Sequence, residues 1–587
     1  MVDFEKQTTL PNNLTSLIES IPGVAENGQP GLYQVVSIRG VSRQRILTLF
    51  EDVRLTSERR AGVAASFIDP LMLGDVMVTR GPVSTYYGSG AIGGVTQLDG
   101  DRSEGIKSLI GYKQSGNEQF QLLRWGDADG GISLSNRQAG NSEAINGSVL
   151  NTHFEQKNLM LQKNFWWSDL KFENFIFASE GNDLGRSNSR FPNRIVNIDK
   201  EKHAIFRSRL SDQDKWSASL YFHNQSTTSH SLKPAISRSK LQSESQDSGA
   251  SWQTAWKSGN TAQLLGMDYF ARRQVNIYET LLDLITQNAQ QQQTLKQGFL
   301  DEFAIFYTQH KKFDRLRLQL GGRATFERSG SQPDQVQTSN SVNVHDSNQT
   351  AVTGFIGMAY HLSEHIEVNA NVGNAFRFAS LSERFFSGTT ARGQVIGNPN
   401  LQAEKANTFD FGINASFAAN QLKLNLFANQ FKNYIQRIQL SNNSLTYINQ
   451  DQGTIKGLEL EYHYSFVNEL ELVLSGLAIN GTDAFNQPLA DVPSNRLNLQ
   501  LFYHADAWQS NLKLQHRFAK NTTASGEIAT DTANILSFSV SWNIDPMWKL
   551  SIYADNLLNE RYFNSADDLS TLAVARNFGI TIGWQNN

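Results

Sequence analysis

Residues 36–98 read VSIRGVSRQRILTLFEDVRLTSERRAGVAASFIDPLMLGDVMVTRGPVSTYYGSGAIGGVTQL. Three short apolar runs, at 46–50, 76–78 and 91–98, have the length and content of strands and are separated by Arg-Gly, Gly-Pro and Gly-Ser-Gly turns. Between them, residues 66–73 suit a short helix capped by Ser66 or Asp69, with Pro70 in its first turn. The stretch is too short and too glycine-rich to enclose a large core of its own. The sequence therefore predicts that something around it holds it.

Outward from this stretch the chain changes character. Residues 12–24 (NNLTSLIESIPGV) space Leu14, Leu17 and Ile18 as one helix face and stop at Pro22-Gly23. Beyond about residue 100 the period is two. Leu536, Phe538, Val540, Trp542 and Ile544 alternate with Ser537, Ser539, Ser541 and Asn543. Leu422, Leu424, Leu426 and Ala428 alternate with Lys423, Asn425, Phe427 and Asn429, and residues 315–320, 366–372, 497–501 and 548–554 read the same way. Period two fits a soluble sandwich with its apolar face inside, or a membrane barrel with that face on lipid and a polar lumen. Length separates the two, because about 480 residues of this pattern exceed the roughly 200–250 at which soluble sandwiches stop. At about 22 residues per strand and connection they build about 22 antiparallel strands, the size of a plugged transporter barrel. The polar stretches 224–252, 286–296 and 329–350 are expected to be outer loops of that barrel.

Composition narrows the function classes. Mean hydropathy is −0.41, and no run approaches the roughly 18 apolar residues of a membrane helix. A barrel averages to such hydrophilic values because its strands alternate. The 587 residues include no cysteine, so disulfides and thiolate metal sites are excluded. A net charge of −4 without a basic cluster argues against nucleic acid. Aromatic residues make up 10%, with phenylalanine leading, as girdles at the membrane boundaries require. No Walker loop, zinc motif, nucleophile elbow or Cys/His pair occurs, and carboxylates such as Asp301 and Glu302 sit in alternating strands where lumen lining is the simpler role. Neither catalysis nor a resident metal or cofactor is expected.

Several motifs stand in one order. They are Ile38-Arg39-Gly40, then Glu51-Asp52-Val53-Arg54-Leu55, then Arg80-Gly81-Pro82, then Tyr87-Gly88-Ser89-Gly90-Ala91-Ile92-Gly93-Gly94-Val95. In that order they resemble the plug domain of TonB-dependent outer-membrane receptors. The resemblance continues through Phe376-Arg377-Phe378-Ala379-Ser380, although Phe378 and Ala379 depart from the family's Phe-Arg-Ala-Pro-Ser. It continues again through Asn398-Pro399-Asn400-Leu401, Lys456-Gly457-Leu458-Glu459 and Asp555-Asn556-Leu557-Leu558-Asn559-Glu560-Arg561-Tyr562. The chain ends FGITIGWQNN rather than on the family's terminal aromatic. Residues 1–6 show neither a signal peptide nor the family's TonB-contacting segment, so the chain is read as N-terminally trimmed.

The resemblance implies an all-β membrane barrel of about 22 antiparallel strands (105–587) with an N-terminal α+β plug (1–104) inside its lumen. It implies a monomer in the outer membrane of a Gram-negative bacterium, in contact with lipid and driven by the TonB complex of the inner membrane. Its task would be active import of a scarce small-molecule chelate, a ferric siderophore first. Haem or cobalamin are the alternatives, followed by a non-transporting relic, signalling or adhesive barrel.

Residue by residue, the resemblance gives the plug arginines Arg39 and Arg80 barrel partners at Glu404 and Glu459. Such charges need partners because an isolated buried charge is costly. The segments 56–66 and 84–89 become the plug loops that face the cargo. There Arg59 and Arg60 offer fixed cationic forks, Ser66 a hydroxyl, and Tyr86 and Tyr87 flat faces suited to a rigid chelate. Arg384 and Arg392, beside Phe385 and Phe386, are expected as outer-loop ligands. Haem receptors of the family place one axial histidine in the plug and one between the two barrel motifs. Here the first histidine is His153 and none lies between Arg377 and Asn398, so haem is disfavoured. Copper uptake lacks methionine or histidine clusters, and His223, His230 and His345 are expected in polar loops.

Overall fold

The computed structural model describes residues 11, 13–58, 62–212, 215–332, 346–390, 393–440, 444–467 and 469–586. The quoted stretch folds as expected at its centre. Strand β4 (Ile46–Phe50) lies between β5 (Val53–Leu55) and β7 (Gly94–Gly100), and β7 pairs on its other side with β6 (Leu73–Arg80). The β4–β7 pair is parallel and the others antiparallel. A second, three-stranded sheet holds β1 (Val24–Asn27), β2 (Val35–Ile38) and β3 (Val41–Ser42) behind helix α1 (Leu14–Ile18). The side chain of Asn13 caps α1 by accepting from the Ser16 amide. The helix expected at 66–73 shortens to a single 3-10 turn, Pro70–Met72, capped by Asp69. One turn is all that fits before β6 begins at Leu73.

All five residues of β4 are buried, which a four-stranded sheet cannot achieve alone. What covers it is a barrel. Phe50 meets Phe175 and Phe177 of the barrel wall edge-on at 5.2 and 5.0 Å, so one core runs from plug to lumen. Twenty-two long antiparallel strands, Gly105–Lys113 to Asn577–Asn586, close on themselves through the pairing of the last with the first. A hairpin, Ser387–Thr390 with Gly393–Ile396, leaves the wall between strands Ile366–Arg377 and Glu404–Phe417. Along strand Ala533–Asn543, Ser537 and Ser539 are buried toward the lumen and Trp542 is exposed toward lipid, as the alternation predicts.

One end of the barrel carries tight turns such as 168–169 and 418–419. The other carries long connections, among them 378–403 and 556–576. By the rule for outer-membrane barrels the first end is periplasmic and the second extracellular. All ten tryptophans stand toward the periplasmic end: Trp125, Trp166, Trp167, Trp216, Trp252, Trp256, Trp508, Trp542, Trp548 and Trp584.

The polar stretches read as outer loops are largely strand. Residues 224–252 belong to the hairpin of Trp216–Lys233 with Ser237–Ser258, and 289–296 belong to Ala289–Lys312. Part of the third stretch, 333–345, lies outside the described residues. These hairpins climb past the membrane into water, where both faces can be polar and the alternation that marks a strand disappears.

Candidate functional site

Among the ion pairs that tie the plug to the wall, two clusters hold the carboxylates expected there, Glu459 and Glu404. In the first, Arg39 follows β2 with a left-handed φ of 51° and points its fork at Glu459 of strand Leu445–Val467. Its Nε and Nη2 donate to the two Glu459 oxygens at 2.9 Å each, and Nη1 donates to Asp410. Arg80, at the end of β6, adds a 3.1 Å bond to Glu459 and another to the Pro22 carbonyl. Burial opposes the charge on Arg39, but Glu459 and then Asp410 outweigh it and hold the group above its ordinary value.

Gly23 closes this cluster. Its φ is +83°, and a Cβ there would stand 2.0 Å from Glu459 Oε1. Gly23→Ala is therefore expected to push Glu459 off Arg39 and to cost about 1–3 kcal/mol for the left-handed backbone alone. The denaturant midpoint of the purified barrel reads this loss.

The second cluster corrects the expected pairing. Glu404 does not meet Arg39 or Arg80. It accepts from Arg45, three residues beyond β3, at 2.6 and 3.0 Å, and from Arg377 at 3.1 Å. Arg377 reaches on to Glu383, which caps helix α3 (Leu381–Phe385) at Ser380. The reason is height in the barrel. Glu404 begins its strand on the extracellular side, level with Arg377, whereas Glu459 lies lower on its own strand. Sequence reading missed Arg45, Asp410, Arg377 and Glu383. The register between neighbouring strands would have found Arg377, because it faces Glu404 directly.

The remaining expected residues scatter. Arg59, Arg60 and Arg392 lie outside the described residues. Ser66 is buried and donates to Glu201 at 3.1 Å. Tyr86 and Tyr87 form helix α2 (Ser84–Tyr87) low in the barrel instead of facing outward. The Tyr86 hydroxyl meets His310, two residues from the periplasmic end of its strand, at 3.2 Å. Tyr87 packs on Leu47, Leu49 and Val95 inside the plug. Arg384, in the last turn of α3, is fully buried, with Glu327 at 2.9 Å, and presents nothing to a ligand. His223 is buried in a strand, and His345 lies outside the described residues.

Above the plug lies a chamber of about 420 Å³. Its floor is plug: Tyr33, Ser57, Glu58, Ser66 and Phe67. Its walls are the climbing hairpins, which contribute hydroxyls at Thr227, Ser229, Ser231, Ser237, Ser239 and Ser243. Phe386 and Tyr447 add aromatic faces. The carboxylates on this surface include two already engaged, Glu58 with Arg272 and Asp567 with Arg43. Arg437 lines the chamber and has no ion-pair partner among the described residues. Among the described residues no group of three metal-ligating side chains occurs. Chemically, the chamber suits a compact ligand with many oxygen atoms, some of them anionic.

A family model described as "TonB dependent receptor-like, beta-barrel" matches residues 111–557, and one described as "TonB-dependent Receptor Plug Domain" matches residues 3–95. Among curated relatives, the Vitamin B12 transporter BtuB of Vibrio vulnificus strain YJ016 is 22% identical over 467 residues, 76% of this chain and 69% of that protein. A hemin receptor of Yersinia enterocolitica is 30% identical over 122 residues, 21% of this chain and 17% of that protein. Of solved structures, the copper transporter OprC superposes with a TM-score of 0.87 at 16% identity, covering 99% of this chain and 96% of that one. The ferric yersiniabactin uptake receptor FyuA from Yersinia pestis gives 0.78 at 15%, covering 98% and 95%. At such identities the two structures speak to the fold.

Proposed function

The chain belongs to the TonB-dependent receptors of the Gram-negative outer membrane, and from that premise we propose that the chelate it imports is a ferric siderophore. The observation that carries the proposal is the chamber: a hydroxyl-lined space floored by the plug, with the Arg437 guanidinium on its wall and without an ion-pair partner among the described residues. A ferric siderophore presents carboxylate, catecholate or hydroxamate oxygens around one metal, and a planar cationic fork among hydroxyls recognises that surface. The absence of plug histidine leaves haem without the axial pair that its recognition would use. Cargo seated on Ser57, Glu58 and Ser66 would touch the plug itself, so that binding can bias the plug toward a second arrangement. The Arg39 and Arg45 clusters would then be the contacts that yield when TonB pulls.

Calorimetric titration of the purified receptor with ferric siderophores, haem and cobalamin tests this. One ferric chelate is expected to bind saturably, and Arg437→Ala is expected to weaken it about tenfold or more, the worth of one charge-assisted hydrogen bond. Binding of haem or cobalamin alone would replace the siderophore reading. Silence from all of them would favour a barrel that does not transport.

A further inference from the structure

At the edge of the chamber, which His203 helps to line, two histidines that the cargo reading does not use lie buried side by side. His203, on strand Ile195–Asp212, and His223, on strand Trp216–Lys233, are 6% and 1% exposed. His203 Nδ1 and His223 Nε2 share one hydrogen bond of 2.9 Å. Each ring aims its other nitrogen at a carboxylate too far away to bond. His203 Nε2 is 3.6 Å from Glu201, and His223 Nδ1 is 3.9 Å from Asp247 on strand Ser237–Ser258. Both nitrogens are buried without a hydrogen-bond partner.

The plug holds this arrangement in place. Phe67 lies flat on His203, with ring centroids 3.6 Å apart and planes 11° apart. Glu201 accepts from Tyr33 and Ser66 of the plug, at 2.7 and 3.1 Å. Asp247 accepts from Thr56 of the plug at 2.5 Å and from Gln225 at 3.1 Å. Arg272, on strand Thr261–Asp283, stands 3.4 Å from Asp247 and 3.2 Å from Glu58 of the plug. Both carboxylates are thus occupied, and little of either ring reaches solvent.

The proton count follows from the bond between the rings. In a neutral pair one ring donates and the other accepts, so the four nitrogens carry two protons. If His203 donates, its outer nitrogen turns a lone pair on Glu201. If His223 donates, its outer nitrogen turns a lone pair on Asp247. Either way one carboxylate faces a lone pair, and one further proton would satisfy both. Burial under Phe67 and the nearby Arg272 cation oppose that proton while the plug is docked.

We infer that this pair is an acid-sensitive latch between plug and barrel. When this part of the plug withdraws, Tyr33 and Ser66 leave Glu201, Thr56 leaves Asp247, and Phe67 uncovers the rings. The pair then takes up one proton from water and donates to both carboxylates. The withdrawn state binds one proton more than the docked state. The sign is therefore fixed: docking is strongest at high pH and weakens as pH falls, by up to about tenfold in the equilibrium per pH unit. The latch needs no cargo, so it stands or falls separately from the siderophore reading.

The chain has no cysteine, so Ala64→Cys in the plug segment can carry a single nitroxide. Electron paramagnetic resonance of the purified full chain, from pH 8 to pH 5 without ligand, reads the mobile fraction at that position. It is expected to rise as pH falls. His203→Gln with His223→Gln is expected to flatten the response, with the barrel's heat-modifiable gel mobility confirming that it folds. Phe67→Leu leaves the pair intact but uncovers it, and is expected to move the transition to higher pH. A mobile fraction independent of pH in the parent, the same response in the double variant, or an unmoved transition in Phe67→Leu would each overturn the latch.

Discussion

Glu404→Ala is expected to destabilise the closed receptor by about 3–5 kcal/mol, because one change strips the carboxylate from two buried guanidinium groups. Arg45 and Arg377 are 5% and 2% exposed, so neither can turn to water for a replacement. Glu404 also accepts from the Ile435 amide at 3.1 Å, which would be left unmet. What remains for Arg45 is the Ile435 carbonyl at 3.0 Å and the face of Tyr434 at 3.9 Å. The loss should be local to the plug. Amides of β4, which starts beside Arg45, are expected to exchange about a hundredfold faster for a loss near 3 kcal/mol. Glu404→Gln, which keeps shape and one acceptor oxygen, should fall between. Unchanged exchange in the alanine variant would show that Tyr434 and Ile435 hold Arg45 alone.

Glu51→Gln is the second large effect, of similar size, about 3–5 kcal/mol. Glu51 sits in the β4–β5 turn with a left-handed φ of 49° and is 1% exposed. Its oxygens accept from the Gly100 amide, Gln162, Arg102 and Arg207, at 3.0, 3.2, 2.6 and 2.7 Å. Its own carbonyl accepts a further bond from Arg207 at 3.0 Å. Gly100 is where the chain leaves the plug for the barrel, so one carboxylate joins a plug turn, that exit and two barrel strands. The glutamine amide keeps one acceptor but turns donors toward Arg102 or Arg207. A double-mutant cycle with Arg207→Met separates this pair from its neighbours. Coupling above about 1 kcal/mol is expected, and additive losses would mean that Arg207 contributes through packing alone.

The architecture was legible because its signals are local. Ile46–Phe50 is an apolar run between turns, and the serine alternation of Ala533–Asn543 marks lumen and lipid faces directly. The extended hairpins were not legible, since a strand with water on both faces has no alternation to read. In the site, Arg39, Arg80 and Glu459 stand in motifs, whereas Arg45 and Asp410 gain meaning only once strand height is known. Glu404 was visible as a partner for a plug arginine, but which arginine depends on the register that sets it beside Arg377. Tyr86 and Tyr87 misled for a related reason. A two-residue aromatic signal carries no information about which end of a barrel it faces, and α2 lies at the lower one. The histidine pair escaped notice because twenty residues separate its members, which only strand pairing brings together.

With all ten indoles toward the periplasmic end, none in the plug and none on the chamber wall, the receptor's intrinsic fluorescence comes from the membrane collar and its periplasmic rim. Brominated lipid should dim it, while cargo arriving above the plug should leave it nearly untouched. The chamber is in this sense optically dark. A single indole introduced by Phe386→Trp would be the one emitter in that space, and its colour would report cargo against the unchanging glow of the membrane collar.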